Sequence, residues 1–297
     1  MLWKHTFSPW AGRQKEDADK PSAVLNATLR WQQQAEKLDE RYRVLCHPTP
    51  DIFDPLVPAL WLLDALRVMS KTPRIDWVLI TERPRDMPGV VRRACQLIKP
   101  DAEPELLAWV QQWLNGGQPP HNVWIGAHAT SQRAIDERLP DLAALPAVRR
   151  LLMLTPLRDQ PSLAHTPGFE QLHWVILAGD SGPRAQPLHP VWARAVRDDC
   201  RQHGVPLFFE SWGDWMPRTE RMASGNTCEL ADPRLTRWTC QEISSDNLTG
   251  RDLRHAVGER VHMQRVGAND SGHWLDRTLW RQEPAPLETE AEQGAAG

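Results

Sequence analysis

Short apolar runs alternate with longer amphipathic segments over residues 1–215. Apolar runs of this kind predict strands that are buried on both faces, and the segments between them carry apolar residues at helical spacing. The strands are predicted to begin near residues 43, 77, 123, 150, 174 and 206. This alternation is typical of an α/β fold with a parallel sheet and helices outside it, either an open doubly wound sheet or a partial or full (β/α) barrel.

The clearest repeat lies between His173 and Trp215. Trp174–Ala178 predicts a buried strand, and Pro190 fits the first turn of a helix because its missing N–H has no partner there. Gly204 predicts the end of that helix, and Val205–Phe209 predicts the next strand. Two strands that flank one helix in the same sheet form a parallel pair with a crossover.

Helices are also predicted upstream, and a change of pattern predicts the domain organisation. The expected helices run from Ser22 to about Arg41, from Pro58 to Lys71, from Val90 to Ile98, from Pro104 to Leu114, and from Ser131 through Leu142. Residues 216–283 lack the strand–helix rhythm, so we expect a C-terminal extension that packs on a barrel of residues 1–215. Residues 284–297 are acidic and poor in apolar residues, which predicts a disordered tail.

Composition narrows the class of protein. The formal charge is −3, from 35 Lys and Arg against 38 Asp and Glu, so no global positive field favours tight nonspecific binding to nucleic acid. The five cysteines show no C-x-x-C pair, which predicts reduced thiols in a cytosolic protein. No secretory signal or membrane-spanning stretch is evident. We therefore expect a soluble, cytoplasmic protein without membrane contact.

Candidate chemistry lies at the carboxyl ends of the predicted strands, where ligands bind in both alternative folds. The polar or aromatic candidates there are Asp51, Asp54, Glu82, Arg83, His128, Gln132, Asp180, Ser181, His189, Glu210 and Trp212. His47, Asp51, Asp54 and His128 are suitable metal ligands, but turn hydrogen bonds explain the two aspartates equally well. The backbone N–H groups of Gly179–Pro183 could hold an anionic or polar ligand.

Several segments together resemble one protein family. They read FSPWAG, RYRVLCHPTPDIFD, DWVLITERPRDM, NVWIGAHATSQRAIDERLPDL, PAVRRLLMLTPL, HWVILAGDSGPRAQPLHPVWARAVRDDCRQHGVPLFFESWGDW and VGANDSGHWLDRTLW. They are similar to the phage-associated gene product 37 / gene product 68 family, a domain of unknown function that resembles radical S-adenosylmethionine (radical SAM) enzymes. The resemblance implies a partial (β/α) barrel, an iron–sulfur cluster and S-adenosylmethionine in relatives, and a phage- or prophage-encoded protein in the bacterial cytoplasm.

This chain departs from that family at its polar positions. Arg13 stands where relatives carry the first cysteine of the cluster motif, and residues 14–20 contain no cysteine. Glu82 and Glu210 stand where relatives show lysine, and Thr130 and Thr155 stand where they show glutamate. The terminal lysine pair of relatives is replaced at residues 268–269. Because such clusters are held by cysteine thiolates, we expect neither a cluster nor another cofactor in this chain.

Three hypotheses follow from these departures. The first is a pseudoenzyme, a radical-SAM-like scaffold without a cluster that binds a protein, nucleic-acid or small-molecule partner at the barrel mouth. The second is an enzyme with a refitted, non-radical site, in which Asp51, Asp180 or Glu210 acts as acid or base and Ser181 or His189 assists, acting on nucleic acid or a nucleotide-like ligand. The third is a cluster completed by the cysteines of a partner protein.

Overall fold

The computed structural model describes residues 5–7, 24–46, 51–115, 118–218, 240–246 and 258–287. The helices are α1 (Val24–Leu38), α2 (Ala59–Ser70), α3 (Met87–Cys95), α4 (Pro104–Leu114), α5 (Gln132–Ala143) and α6 (Pro190–Gln202). The strands are β1 (His5–Phe7), β2 (Tyr42–Cys46), β3 (Ile75–Thr81), β4 (Val123–His128), β5 (Arg150–Leu154), β6 (Trp174–Ala178), β7 (Leu207–Ser211), β8 (Trp215–Pro217), β9 (Cys240–Ser244), β10 (Arg260–Arg265), β11 (Trp274–Leu275) and β12 (Thr278–Leu279).

The predicted start and stop signals lie at the ends of the helices. Pro190 occupies the first turn of α6, and Gly204 follows its end with a φ of 68°, a left-handed conformation that favours glycine. Ser131 caps α5 by accepting a hydrogen bond from the backbone N–H of Ala134 at 3.3 Å. These sequence predictions are confirmed, whereas the proposed start of α1 at Ser22 lies outside the described residues.

The predicted α/β class with a partial (β/α) barrel of parallel strands is confirmed. The strand order follows the chain order, from β1 to β3 and again from β5 to β7. The chain divides into two compact units: unit 1 comprises Met1–Gly126, Ala144–Arg150 and Glu283–Gly297, and unit 2 comprises Ala127–Ala143 and Leu151–Gln282. The organisation predicted from the sequence, with limits at residues 215 and 283, stays a prediction.

Unit 1 contains the parallel pairs β1–β2 and β2–β3. Every residue of β3 is buried, as the unbroken apolar run predicts for a strand covered on both faces. The Trp77 indole in this strand donates to the hydroxyl of Thr72 at 2.9 Å, so its buried N–H is satisfied. Helix α2 is also largely buried.

Unit 2 contains the parallel pairs β5–β6 and β6–β7 and two small antiparallel sheets. Strands β8, β10 and β9 form a three-stranded sheet in that order, and β11 and β12 form a hairpin. Ala185, from the loop after β6, packs with Trp215, Ile243 and Met263 of the three-stranded sheet. The Trp215 indole also donates to the carbonyl of Ala185 at 2.9 Å, so this sheet holds the loop.

Within the described parts of the chain, no helix combines the length and the apolar character needed to cross a membrane.

Candidate functional site

Four loops of unit 2, each of which follows a strand of the parallel sheet, are joined to one another or to the adjacent strand end by backbone hydrogen bonds. We call this set of loops, residues 129–131, 155–158, 179–182 and 211–214, the strand-end rim. The bonds run from Arg158 N to Thr130 O (2.9 Å), from Leu157 N to Ala178 O (3.2 Å), from Gly179 N to Ser211 O (3.0 Å) and from Asp214 N to Asp180 O (2.8 Å). Because each loop is fixed to the next, the side chains on the rim are held in defined positions.

Glu210 lies at an irregularity in the strand beneath this rim. In the β6–β7 pair, Leu177 pairs with Phe209 and Ala178 pairs with Ser211, so Glu210 is the additional residue of a β-bulge. Bulges re-aim a side chain and are common beside active sites, and they are rare between parallel strands. At Glu210 the regular alternation of side chains between the two faces of β7 is therefore interrupted.

The Glu210 carboxyl is both accessible and incompletely solvated. Its side chain is exposed, yet desolvation by the surrounding protein atoms raises the pKa of the carboxyl. Among the described residues it has no hydrogen-bond or ion-pair partner. A carboxyl with these properties is available to a ligand that donates a hydrogen bond or carries a positive charge.

Two glycines allow the backbones beside the bulge to approach closely. A Cβ on Gly179 would lie 1.9 Å from the carbonyl oxygen of Trp212, and a Cβ on Gly213 would lie 2.1 Å from that of Asp180. Gly213 also has a φ of 75°, which disfavours other residues. The loops after β6 and β7 therefore depend on glycine at both positions.

Charged side chains reinforce the same two loops. The Asp180 carboxylate accepts hydrogen bonds from the backbone N–H of Ser181 at 2.9 Å and from Arg158 at 3.2 Å. Asp214 is held by Arg265, whose guanidinium donates to its carboxylate at 2.8 Å and to the carbonyl of Gly182 at 2.6 Å. Asp180 is thus already used to organise its loop, and Ser181 is exposed beside it.

His128 and Gln132 lie at the other end of the rim. The Nε2 atom of His128 is 2.8 Å from the carbonyl oxygen of Thr155, and the ring is half-buried. Gln132 donates from its side chain to Asp136 at 2.6 Å and accepts from the backbone N–H of Ser162 at 2.6 Å. Its amide is therefore engaged in holding the loop after β5 against α5.

His189 and Trp212 have structural contacts. The buried His189 ring accepts from the backbone N–H of Val191 through Nδ1 at 3.1 Å and donates through Nε2 to the carbonyl of Glu259 at 3.1 Å. It is therefore the N-cap of α6, and burial lowers its pKa. Trp212 is 1% exposed and donates from its indole to the carbonyl of Trp274 at 2.9 Å. Both side chains support the site from within the fold.

The candidates in unit 1 form a separate group. Asp51, which is buried, accepts from the backbone N–H of Phe53 at 2.9 Å, from the hydroxyl of Thr81 at 2.8 Å and from the backbone N–H of Glu82 at 2.8 Å. Burial raises the pKa of its carboxyl. These bonds fasten the loop after β2 to the end of β3, so they use most of the acceptor capacity of Asp51.

The neighbours of Asp51 are more accessible. Glu82 and Arg83 are exposed, and the Arg83 guanidinium lies 3.7 Å from the Asp54 carboxylate. Asp54 also accepts from the backbone N–H of Leu56 at 2.9 Å, which is the turn hydrogen bond that its sequence context predicts. The structure therefore joins the four unit 1 candidates around one pair of strand ends.

The described residues contain no group of three or more His, Cys, Asp or Glu side chains arranged to hold a metal ion, and His47 lies outside the described part of the chain. Cys46 and Cys200 are buried, and burial raises the pKa of both thiols far above the ordinary range. Cys95 is partly buried, and burial raises its pKa as well. The neutral thiol is the favoured form at all three positions.

Three residues that organise the rim were missed by the sequence reasoning: Arg158, Asp214 and Arg265. Arg158 and Asp214 lie within predicted strand-end segments, so their position was the available signal. Arg265 lies in the segment without strand–helix rhythm, and its contact with Gly182 spans 83 residues of sequence. No local pattern predicts a pairing at that separation.

The family model for proteins of unknown function named DUF5131 matches residues 4–284. No curated protein and no solved structure matches the chain. Since the family model covers nearly the whole sequence, from before the first strand to the end of the described C-terminal hairpin, the chain belongs to the DUF5131 family of proteins of unknown function.

Proposed function

We propose that this protein is a radical-SAM-like scaffold of the phage gene product 37/68 type that has lost its cluster ligands and binds a ligand at the strand-end rim. Glu210 is the principal contact for that ligand. The observation that carries the proposal is the β-bulge, which presents an accessible carboxyl without a partner among the described residues. The role is that of a binding or regulatory protein in the cytoplasm of a phage-infected or prophage-carrying bacterium.

The chemistry of the rim favours a ligand with a cationic or hydrogen-bond-donating group. Asp180 is paired with Arg158, and Asp214 is paired with Arg265, so their charges are compensated within unit 2. Glu210, in the strand directly beneath the rim, has no compensating partner among the described residues. A partly desolvated carboxylate binds a cation more strongly than one in bulk water because the effective dielectric constant is lower.

The three cysteines whose side chains the structure describes do not fit an iron–sulfur cluster. Such a cluster needs several cysteine thiolates, but burial favours the neutral thiol at Cys46, Cys95 and Cys200. These cysteines also belong to different elements, two of which are the helices α3 and α6. Residues 13–20, where relatives carry the motif, hold no cysteine and lie outside the described residues.

Iron and sulfide analysis tests the first part of the proposal. The protein is purified anaerobically, subjected to cluster reconstitution, and examined for iron, sulfide and visible absorption. We expect no stoichiometric cluster. A stoichiometric, redox-active cluster would refute the proposal. Repeating the measurement with proteins encoded by neighbouring genes tests the third hypothesis, in which a partner supplies the cysteines.

A thermal-shift screen tests the ligand site. Amino acids, polyamines, nucleotides and short oligonucleotides are added to the wild type, to Glu210→Gln and to a matched control, Glu170→Gln. Glu170 is an exposed glutamate of the same unit, outside the rim. We expect a cationic or donor-rich compound to stabilise the wild type and the control but not Glu210→Gln. Equal stabilisation of all three proteins would place the ligand elsewhere.

The pKa of Glu210 also favours a second candidate function, an enzyme with a non-radical site. Desolvation brings this carboxyl closer to the pKa that a general acid or base needs near neutral pH. Glu210→Gln and Asp180→Asn are compared in any phenotype that the wild-type gene confers on its host. We expect Glu210→Gln to lose a catalytic phenotype, and retention of the phenotype by both variants would exclude this function.

A further inference from the structure

The β11–β12 hairpin exposes a large apolar pair. Trp274 and Leu279 are each 43% exposed, and they occupy directly opposite positions in the two strands, so they lie on the same face. The chain has 15 tryptophans, and the other large apolar side chains that are prominently exposed in the described residues are leucines. An exposed tryptophan beside a leucine is typical of the anchor region of a protein interface.

The hairpin is held rigidly although its turn has unfavourable backbone conformations. Asp276 and Arg277 form the two-residue turn with φ values of 52° and 61°, which residues other than glycine seldom adopt. The Asp276 carboxylate accepts from Arg194 at 2.8 Å and also from Arg197. These ion pairs bind the turn to α6, so the apolar pair is presented without a large loss of conformational entropy on binding.

Two exposed arginines lie close in sequence to the apolar pair. Arg277 in the turn and Arg281 after β12 are exposed, whereas the charge of Asp276 is compensated by two arginines. The His273 ring is stacked on Trp274 with 6.4 Å between centroids. Arg281 pairs with Phe208 in an antiparallel bridge, and its guanidinium lies 5.9 Å from the centroid of the Phe208 ring. The exposed charged residues nearest to the apolar pair in sequence are therefore arginines.

We propose that the surface formed by His273, Trp274, Arg277, Leu279 and Arg281, here called the Trp274 surface, docks a partner protein segment in which an apolar side chain is flanked by Asp or Glu. The apolar side chain packs on the indole and Leu279, and the carboxylates meet the two arginines. A second copy of this chain fits less well, because a symmetric contact would bring like charges together. This proposal is independent of the ligand at the strand-end rim.

A peptide-display selection on the full-length protein tests the docking surface. We expect the enriched peptides to combine Leu, Phe or Trp with neighbouring Asp or Glu. The affinity of the most enriched peptide is then measured by fluorescence anisotropy. Trp274→Ala is expected to weaken binding by roughly tenfold or more, and Arg277→Glu is expected to weaken it and to reduce its salt dependence.

Leu97→Ser is the matched control, since Leu97 is 46% exposed at a site in unit 1. It should bind the peptide like the wild type, and thermal unfolding establishes that each variant is folded. Three outcomes would each overturn the proposal. The selection could enrich no peptides, it could enrich peptides without acidic residues, or the enriched peptides could bind Trp274→Ala as tightly as the wild type. A wild-type dimer in sedimentation equilibrium that Trp274→Ala abolishes would also overturn it, in favour of a second copy as the occupant.

Discussion

Substitution of three glycines by alanine separates two reasons why the loops after β6 and β7 need glycine. Gly182 has a φ of 103° but open space around its Cα, so Gly182→Ala introduces backbone strain alone. Gly179 lies outside the left-handed region, yet a Cβ there would meet the Trp212 carbonyl at 1.9 Å, so Gly179→Ala introduces steric overlap alone. Gly213→Ala combines a left-handed φ with an overlap at 2.1 Å.

The magnitudes follow from these distances and angles. Left-handed backbone costs an L-residue about 1–2 kcal/mol, and alanine recovers roughly 0.5 kcal/mol by restricting the unfolded chain, so Gly182→Ala should lower the free energy of unfolding by about 1 kcal/mol. Real Cβ atoms essentially never come within 3.0 Å of another heavy atom, and at Gly179 and Gly213 the neighbouring atom is backbone. Overpacking of this kind costs about 3 kcal/mol, so Gly179→Ala should lose about 3 and Gly213→Ala about 4 kcal/mol.

Urea denaturation followed by tryptophan fluorescence measures the three free energies of unfolding under identical conditions. The loss of stability is expected to be smallest for Gly182→Ala, larger for Gly179→Ala and largest for Gly213→Ala. A loss at Gly179 as small as that at Gly182 would show that the two loops do not approach as closely as described. In that case the rigid placement of the rim beside Glu210 would lose its support.

Two further predictions concern side chains that the sequence suggested for chemistry and that the structure shows making structural hydrogen bonds. Asp51→Ala removes the acceptor of the buried Thr81 hydroxyl and of the partly buried Glu82 N–H, so it should lower the free energy of unfolding by about 1–3 kcal/mol in urea denaturation. Asp54→Ala should cost less, and equal losses would contradict this reasoning. Burial favours the neutral His189 ring, so the pKa of His189 in the folded protein lies below the ordinary 6.5. The stabilising effect of His189 is therefore present above pH 6.5 and is lost as the pH falls. The stability difference between wild type and His189→Ala should therefore shrink between about pH 7.5 and 5.5, and a constant difference would refute the capping role.

Much of the fold was predictable because its signals are local. β6 is a short, buried apolar run, β3 is buried and mostly apolar, and β7 begins with a buried apolar run. Helix α6 has proline in its first turn and glycine after its end. Each of these features acts within a few residues, so it is visible in the sequence alone. Strands β8 and β10 lack such signals because they pair with each other across a long stretch of sequence. The pairing of β11 with β12 is local, but their two-residue turn, Asp276 and Arg277, lacks the glycine that usually signals a hairpin.

The strand-end rule selects the candidate residues by position, but it does not predict their contacts. The strand-end rule located Asp180, His189 and Glu210, but it did not distinguish a carboxylate that fastens a loop, a histidine that caps a helix and a carboxyl that stays accessible. The distinction depends on hydrogen-bond partners such as the N–H of Val191 and the guanidinium of Arg158. Those partners are set by tertiary packing and not by residue type.

The special position of Glu210 follows from the same packing. Gly179 directly follows Ala178, the last residue of β6, and its backbone N–H donates to the carbonyl of Ser211. This hydrogen bond fixes the pairing of the two strands one residue beyond Glu210. Below that point Leu177 pairs with Phe209, so one residue of β7 has no opposite neighbour. A substitution that moves Gly179 away from the loop after β7 should therefore change the environment of Glu210 as well as the stability. If the pKa of Glu210 measured by carboxyl-carbon NMR stayed raised in a folded Gly179→Ala variant, the bulge would not depend on the close approach of the two loops.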